Sequence, residues 1–361
     1  MEKVDVSISL RIRQSWLLSA PWVSSDPVKR SHEKVKSRAV VATSREEKVM
    51  PTMPDPRIFL IDLRPAGFSH FIASYVIKAE KVAIIETGPT VTVPNLLEGL
   101  RAINVEAKDV EYVALSHIHL DHGGGAGTLL EHLPRARLVV HRRGAPHLLN
   151  PARLWSQAKH VLGRVAELYE EPIPVAEKRI VVTEDGMSLD LGKGMELRVI
   201  ETLGHASHHQ SFYETSSHAI FPGDIAGIYI PEFDAIIPTT PPPFFLETTL
   251  ASIDKLKQLR PKTLYYSHFG PATAAMKKLQ LHSDQLRLWA NIIRAKLEEG
   301  ASVDKMTEEI AKRDSAIRAT KDYIATHPIM GRGIVAQNIE GFIGYLRDKG
   351  SPGPSQVDQS M

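Results

Sequence analysis

The chain has 361 residues, 43% of them hydrophobic, which is enough for one large core of two packed layers or a core with a small helical appendage. It has no cysteine, which excludes a disulfide framework, a thiolate metal site and a cysteine nucleophile, so any bound metal must rest on imidazole and carboxylate. The net charge of +2 is uneven, with ten Lys/Arg against six Asp/Glu in residues 1–52, and the remaining body lacks the broad basic character of a dedicated nucleic-acid binder.

Residues 1–52 show no sustained period of 2 or 3.6 and mix Ser, Pro and basic residues. They are expected to be a disordered or weakly attached extension, with Met50 and Met53 as alternative starts. The apolar core around Trp16–Ala20 is too short for a secretory signal, and no run approaches the roughly 18 apolar residues of a membrane span. Together with the missing cysteines, this points to a cytoplasmic protein with no membrane partner. From Arg57 the text becomes dense in strands, with β-branched and aromatic runs at 58–62, 70–77, 81–87 and 110–118. A helix is expected from Gly123 to Pro134, a strand at 137–142, and one or two helices within 144–176. Strands resume at 179–183, 196–201, 210–214 and 218–221.

Leu246, Leu250, Ile253, Leu256 and Leu259 recur at spacings of four and three, which predicts a helix over 245–259 with one buried stripe. The prolines 241–243 just before it fix φ and remove donors, so 238–244 reads as a stiff lip over a site or a rigid connection. A strand at 262–268 and helices at 276–298, 303–313 and 331–348 complete the chain. This order implies an α+β fold, with two packed sheets covered by helices on their outer faces. The expected divisions are a catalytic domain over 53–275, a helical lobe over 276–348 and a flexible tail over 349–361.

Chemistry concentrates in Leu115–Gly125, LSHIHLDHGGG. His117 and His119 are two apart at the end of an apolar run. If the strand persists, both imidazoles project from one face. Asp121 and His122 follow in the turn, so four N/O ligands arise within six residues. A chance surface cluster would be interspersed with Lys or Glu and would not directly follow a buried strand. His205, Asp224 and His268 each stand just beyond another strand, the first two directly after a glycine. Any one of them alone is an ordinary loop residue, and the repeated placement is what singles them out.

The intact run His117-Ile118-His119-Leu120-Asp121-His122, followed in order by His205, Asp224 and His268, closely resembles the metallo-beta-lactamase-fold superfamily, in particular its glyoxalase II-like and lactonase-like hydrolases. The resemblance covers about Arg57 to Pro271 and implies a four-layer αββα sandwich. It assigns one metal to His117, His119 and His205 and a second to Asp121, His122 and His268, with Asp224 touching both. Two divalent ions are therefore expected, zinc first, with iron or manganese as alternatives. The family's DTG is Glu86-Thr87-Gly88 here, and Glu86 is expected to support the ligands at most.

The implied reaction is hydrolysis of a thioester, lactone or ester carbonyl by a metal-bridging hydroxide, with Asp121 in the catalytic centre. His209, with its neighbour His208, and Tyr229 are the candidate proton donors. Lactonase-like relatives carry a Tyr where Gly227 stands, which weakens that assignment. The expected partner is a small acyl substrate, with room for a homo-oligomer. The alternatives are a two-metal phosphodiesterase or nuclease and a non-enzymatic, metal-stabilised interaction scaffold. Residues 276–348 are mixed in sign and show no Arg/aromatic alternation, which disfavours nucleic acid.

Overall fold

The computed structural model describes residues 52–348, so the expectations for the N-terminal extension and the tail fall outside the described residues. β1 (Ile58–Asp62), β2 (Ala73–Ile77), β3 (Val82–Ile85), β4 (Val110–Ala114), β5 (Arg137–His141) and β6 (Ile180–Thr183) pair in that order as one sheet. The pairs are antiparallel from β1 to β3 and parallel from β3 to β6. The second sheet uses β7 (Ser188–Gly192), β8 (Met195–Glu201), β9 (Gln210–Glu214) and β10 (Ala219–Phe221). After a small hairpin of β11 (Ile228–Ile230) and β12 (Ala235–Ile237), it is completed by β13 (Thr263–Tyr266) and β14 (Gly270–Thr273). Its order is β14-β13-β10-β9-β8-β7.

Side chains alternate across each strand, and this alternation builds the layers. Ala73, Tyr75 and Ile77 of β2 meet Leu197, Val199 and Phe212 of the second sheet in the core between the sheets. Val76, Ile84, Val113 and Leu138 face the other way, toward the helices. Parallel pairing requires crossovers, and these supply the outer layer. They are α1 (Val93–Ala102), α2 (Leu120–Gly123) with α3 (Ala126–His132), and α4 (Ala145–Leu149) through α5 (Ala152–Leu162) to α6 (Arg164–Tyr169). On the second sheet Ile200, Ile220, Leu264 and Tyr266 cluster with Ile253 and Leu256 of α7 (Leu246–Gln258) and with Leu279 and Leu286 of α8 (Ala275–Glu298). The result is an α+β αββα sandwich.

Three more helices follow, α9 (Val303–Arg313), α10 (Ser315–Thr326) and α11 (Ile334–Asp348). Met306, Ile310, Ile317, Ile339 and Phe342 join the same apolar cluster as α8 and the outer face of the second sheet. No helix among the described residues is long and apolar enough to cross a membrane. One local expectation is corrected: the strand predicted to run through 118 ends at Ala114, because the chain turns into α2, whose N-cap is His119.

Candidate metal centre

Seven side chains converge at one edge of the sandwich, from loops that follow strands of both sheets. Leu115–His119 leave β4, and α2 presents Asp121 and His122 one turn on. His117 and His119 meet through this turn and not through strand alternation, with Nε2 of His117 2.9 Å from Nδ1 of His119. The carbonyl of His122 accepts from Thr87 N–H (2.9 Å), Thr87 Oγ1 (2.9 Å) and Gly88 N–H (3.1 Å), which fixes the turn. From the second sheet, His205 follows β8, Asp224 follows β10 and His268 follows β13.

Three of the imidazoles are oriented from behind by acceptors. His205 Nδ1 donates to the Thr239 carbonyl at 3.0 Å, His268 Nδ1 donates to the Phe71 carbonyl at 2.8 Å, and His122 Nδ1 lies 3.3 Å from Glu86 Oε1. Since a carbonyl only accepts, the inner Nε2 atoms of neutral His205 and His268 carry lone pairs. These inner atoms face other potential ligands: His205 Nε2 lies 3.1 Å from His119 Nδ1, and His268 Nε2 lies 3.2 Å from His122 Nε2. Asp224 Oδ1 is 3.3 Å from His122 Nε2 and 3.7 Å from His268 Nε2, yet it is buried and makes no hydrogen bond among the described residues.

Three groups of ligand atoms, each within 4.8 Å, result: His117 with His119 and His205, His117 with His122 and Asp224, and Asp121 with His122 and His268. Among the described residues no Lys or Arg pairs with Asp121 or Asp224, although Asp224 is only 6% exposed. Two largely desolvated carboxylates whose ionic neighbours are imidazoles form a site that a cation from outside the protein would neutralise. Imidazole with carboxylate suits zinc and its neighbours, so the donor set fits divalent metal.

The electrostatics agree with this. Burial pushes His117 well below its ordinary pKa, and the facing His122 and His119 rings add to the shift. His119 is lowered to about 4, first by burial and then by His205. His122 and His268 move upward: burial opposes their charge, but Asp224 and Asp121 outweigh it. Burial also opposes charge on Asp121 and Asp224, yet His122 first, with His268 and for Asp224 also His205, holds both carboxyls below the usual range. Positive charge is thus favoured beside Asp121 and Asp224 and disfavoured on His117 and His119.

Residues 69–268 match the metallo-beta-lactamase superfamily. The chain belongs to this superfamily. It is 28% identical over 225 residues to the metallo-beta-lactamase fold-containing protein ST1585 of Sulfurisphaera tokodaii, covering 60% of this chain and 80% of that one. The ST1585 crystal structure superposes with a TM-score of 0.55 over 64% of this chain and 86% of that one, at 27% identity. The probable metallo-hydrolase YqjP of Bacillus subtilis is 21% identical over 246 residues, covering 62% of this chain and 75% of its own length. TTHA1429 of Thermus thermophilus shares the fold, with a TM-score of 0.59 over 82% of this chain and 95% of that one, at 20% identity.

Behind this cluster, Glu86 is fully buried at a left-handed φ of 67°. It accepts from Ser116 N–H at 3.2 Å and Ser267 Oγ at 3.1 Å in addition to facing His122. Its longer side chain thus ties the two sheets behind the ligands. His209 Nε2 accepts the Asp224 N–H at 3.1 Å, which leaves Nδ1 to donate to Thr202 Oγ1 at 3.0 Å. Gly223 allows this approach: its φ is +59°, and a Cβ there would stand 2.7 Å from His209 Nε2 and 2.6 Å from Ser116 Cβ.

The structure does not bring the Tyr229 phenol to the cluster. Its hydroxyl donates to Asp234 at 2.8 Å, while its backbone N–H donates to the His268 carbonyl. His208 stands nearer, its ring 5.7 Å from that of His119, and its buried Nδ1 has no partner among the described residues. Segment 238–244 backs the ligands, and Phe244 is buried against Phe342, 4.7 Å away, instead of forming a lip. Sequence reasoning missed Phe71 and Thr239, which act through carbonyls that carry no side-chain signal. It also missed Tyr169 of α6, a buried phenol whose pKa is raised by burial and then by the charge of Asp121.

Proposed function

We propose that this chain is a hydrolase that uses two divalent cations, zinc in the first instance, to hydrolyse the bond between the acyl carbon and the sulfur or oxygen leaving group of a small acyl substrate. His117, His119 and His205 would hold one cation, and Asp121, His122 and His268 the other, with Asp224 serving both. The observation that carries this reading is the convergence of inner nitrogens on the unpartnered Oδ1 of Asp224. When bound, the cations supply Lewis acidity that makes hydroxide available near neutral pH and polarises a carbonyl.

The rest of the task falls to the chain itself. Glu86, Thr239 and Phe71 keep the ligand nitrogens aimed inward, so little rearrangement accompanies reaction. His209 orients Asp224 through the backbone, and His208 is the imidazole left to meet a substrate. Among acyl bonds the site favours a thioester over a lactone. Gly227 has no space for the phenol that lactonase-like relatives place there, since a Cβ would lie 2.6 Å from the Ile237 carbonyl. A thiolate departs without a proton, whereas an alkoxide benefits from a donor.

The test is elemental analysis of the purified protein followed by assay of that preparation on a thioester, an acyl-homoserine-like lactone, a p-nitrophenyl ester and bis-p-nitrophenyl phosphate. Two metal equivalents and fastest turnover of the thioester are expected. Activity confined to the phosphodiester would overturn the choice of bond, and protein that takes up no transition metal would overturn the site.

A further inference from the structure

The segment Pro238–Thr240 lies between the metal cluster and α11, and its polar groups divide between the two. Thr239 faces the cluster: its carbonyl accepts His205 Nδ1–H at 3.0 Å, and its hydroxyl donates to the Asp224 carbonyl at 2.6 Å. The flanking residues face Asn338 of α11. Asn338 Oδ1 accepts the Thr240 N–H at 2.6 Å, Asn338 Nδ2 donates to the Pro238 carbonyl at 2.6 Å, and the Thr240 hydroxyl donates to the Asn338 carbonyl at 3.1 Å. Thr240 is 1% and Asn338 3% exposed, so water does not compete for these bonds.

Side-chain bonds and packing, not a strand ladder, hold this stretch in shape. Pro238 and prolines 241–243 lack N–H groups, so 238–243 cannot join a ladder of its own. One turn along α11, Gly341 lets the helix close on the Thr240 carbonyl, where a methyl would overlap it. Phe244 then stacks on Phe342 and anchors the far end of the segment. The helix thus sets the position of the peptide that sets the tautomer and direction of His205.

We propose that Asn338, 98 residues from Thr240 in sequence, is a positioning residue for the metal ligand His205, so that the C-terminal helix is part of the metal-holding apparatus. This rests on the reading of the cluster as a metal site. A donor and an acceptor on separate atoms are needed, one for the Pro238 carbonyl and one for the Thr240 N–H; the Asn amide provides both, whereas ionised Asp lacks the donor, Ala lacks both, and Ser has a single, shorter oxygen for the two tasks.

The experiment titrates Co²⁺ into metal-free full-length protein, wild type, Asn338→Asp and Asn338→Ala, reading the d–d absorption band and the dissociation constants by competition with a chromophoric chelator. Partners behind a ligand typically contribute about 10- to 100-fold in affinity, so one step further out about a fivefold weakening of one of the two Co²⁺ sites is expected for Asn338→Ala, with an altered band. Asn338→Asp, which keeps the acceptor but sets a carboxylate oxygen against the Pro238 carbonyl, should weaken the same site at least as much. A lower melting temperature with wild-type Co²⁺ affinities and band would overturn the proposal and leave Asn338 a packing residue. If Asn338→Ala does not fold, Asn338→Asp and Asn338→Ser are read by the same criterion. Wild-type protein that binds no Co²⁺ would instead overturn the site reading, so the two failures are distinct.

Discussion

Glu86 shows how much one side chain behind the ligands is asked to do. It holds a left-handed backbone conformation that costs about 1–3 kcal/mol for a residue other than glycine, and it takes hydrogen bonds from both sheets. Replacing it with Gln puts an amide where Ser116 N–H, Ser267 and His122 all require an acceptor. Glu86→Gln is expected to weaken metal binding about tenfold or more in a chelator competition while the metal-free protein still unfolds cooperatively. Unchanged affinity would remove Glu86 from the support of His122. At this scale the converging residues were legible because a His or Asp recurs beyond one β-run after another, although any one of them alone is an ordinary loop residue. The surroundings of His209 and Tyr229 were not legible. They depend on which backbone N–H or carboxylate comes within hydrogen-bond reach, namely that of Asp224 for one and Asp234 for the other.

Elements were legible where an apolar run or stripe is unbroken, as for β1, β5 and α7. Those that escaped are short or lack such a face. β14, Gly270–Thr273, has no β-branched run and exists because β13 offers it an edge. α1 and α10 do carry helical spacing, Val93-Leu96-Leu100 and Ile317-Thr320-Ile324, but inside polar text that dilutes it. α10 is also fixed by a tertiary cap. Asp314 Oδ1 accepts from Ala316 and Ile317 N–H, and its Oδ2 accepts from Trp289 Nε1 at 2.7 Å and Gln285 Nε2 at 2.9 Å, joining α10 to α8. Asp314→Ala removes the cap and leaves the buried indole N–H unpaired, for an expected loss of about 2–4 kcal/mol in urea unfolding. A loss below about 1 kcal/mol would mean that water replaces the carboxylate.

At the scale of the whole molecule the proposed ligands come from both sheets: His117, His119, Asp121 and His122 from the first, His205, Asp224 and His268 from the second. Ions that bind the folded protein alone add stability by mass action, about 2.7 kcal/mol at a hundredfold excess over the dissociation constant. Chelation is therefore expected to lower the unfolding midpoint, and added zinc to restore it. An equal midpoint with and without chelator would show that the cluster binds no metal at these concentrations.

The strands of the first sheet, β1–β6, also precede all those of the second, β7–β10 with β13 and β14, and among the described residues the chain passes from one to the other through the connection from Thr183 to Ser188, exposed at Glu184–Gly186. Cleaving the chain there would cut no strand and would divide the ligand set four to three. Recombined as separate polypeptides, the two pieces would pair through the apolar core between the sheets and each bring an incomplete ligand set, so any bound metal would tighten the heterodimer.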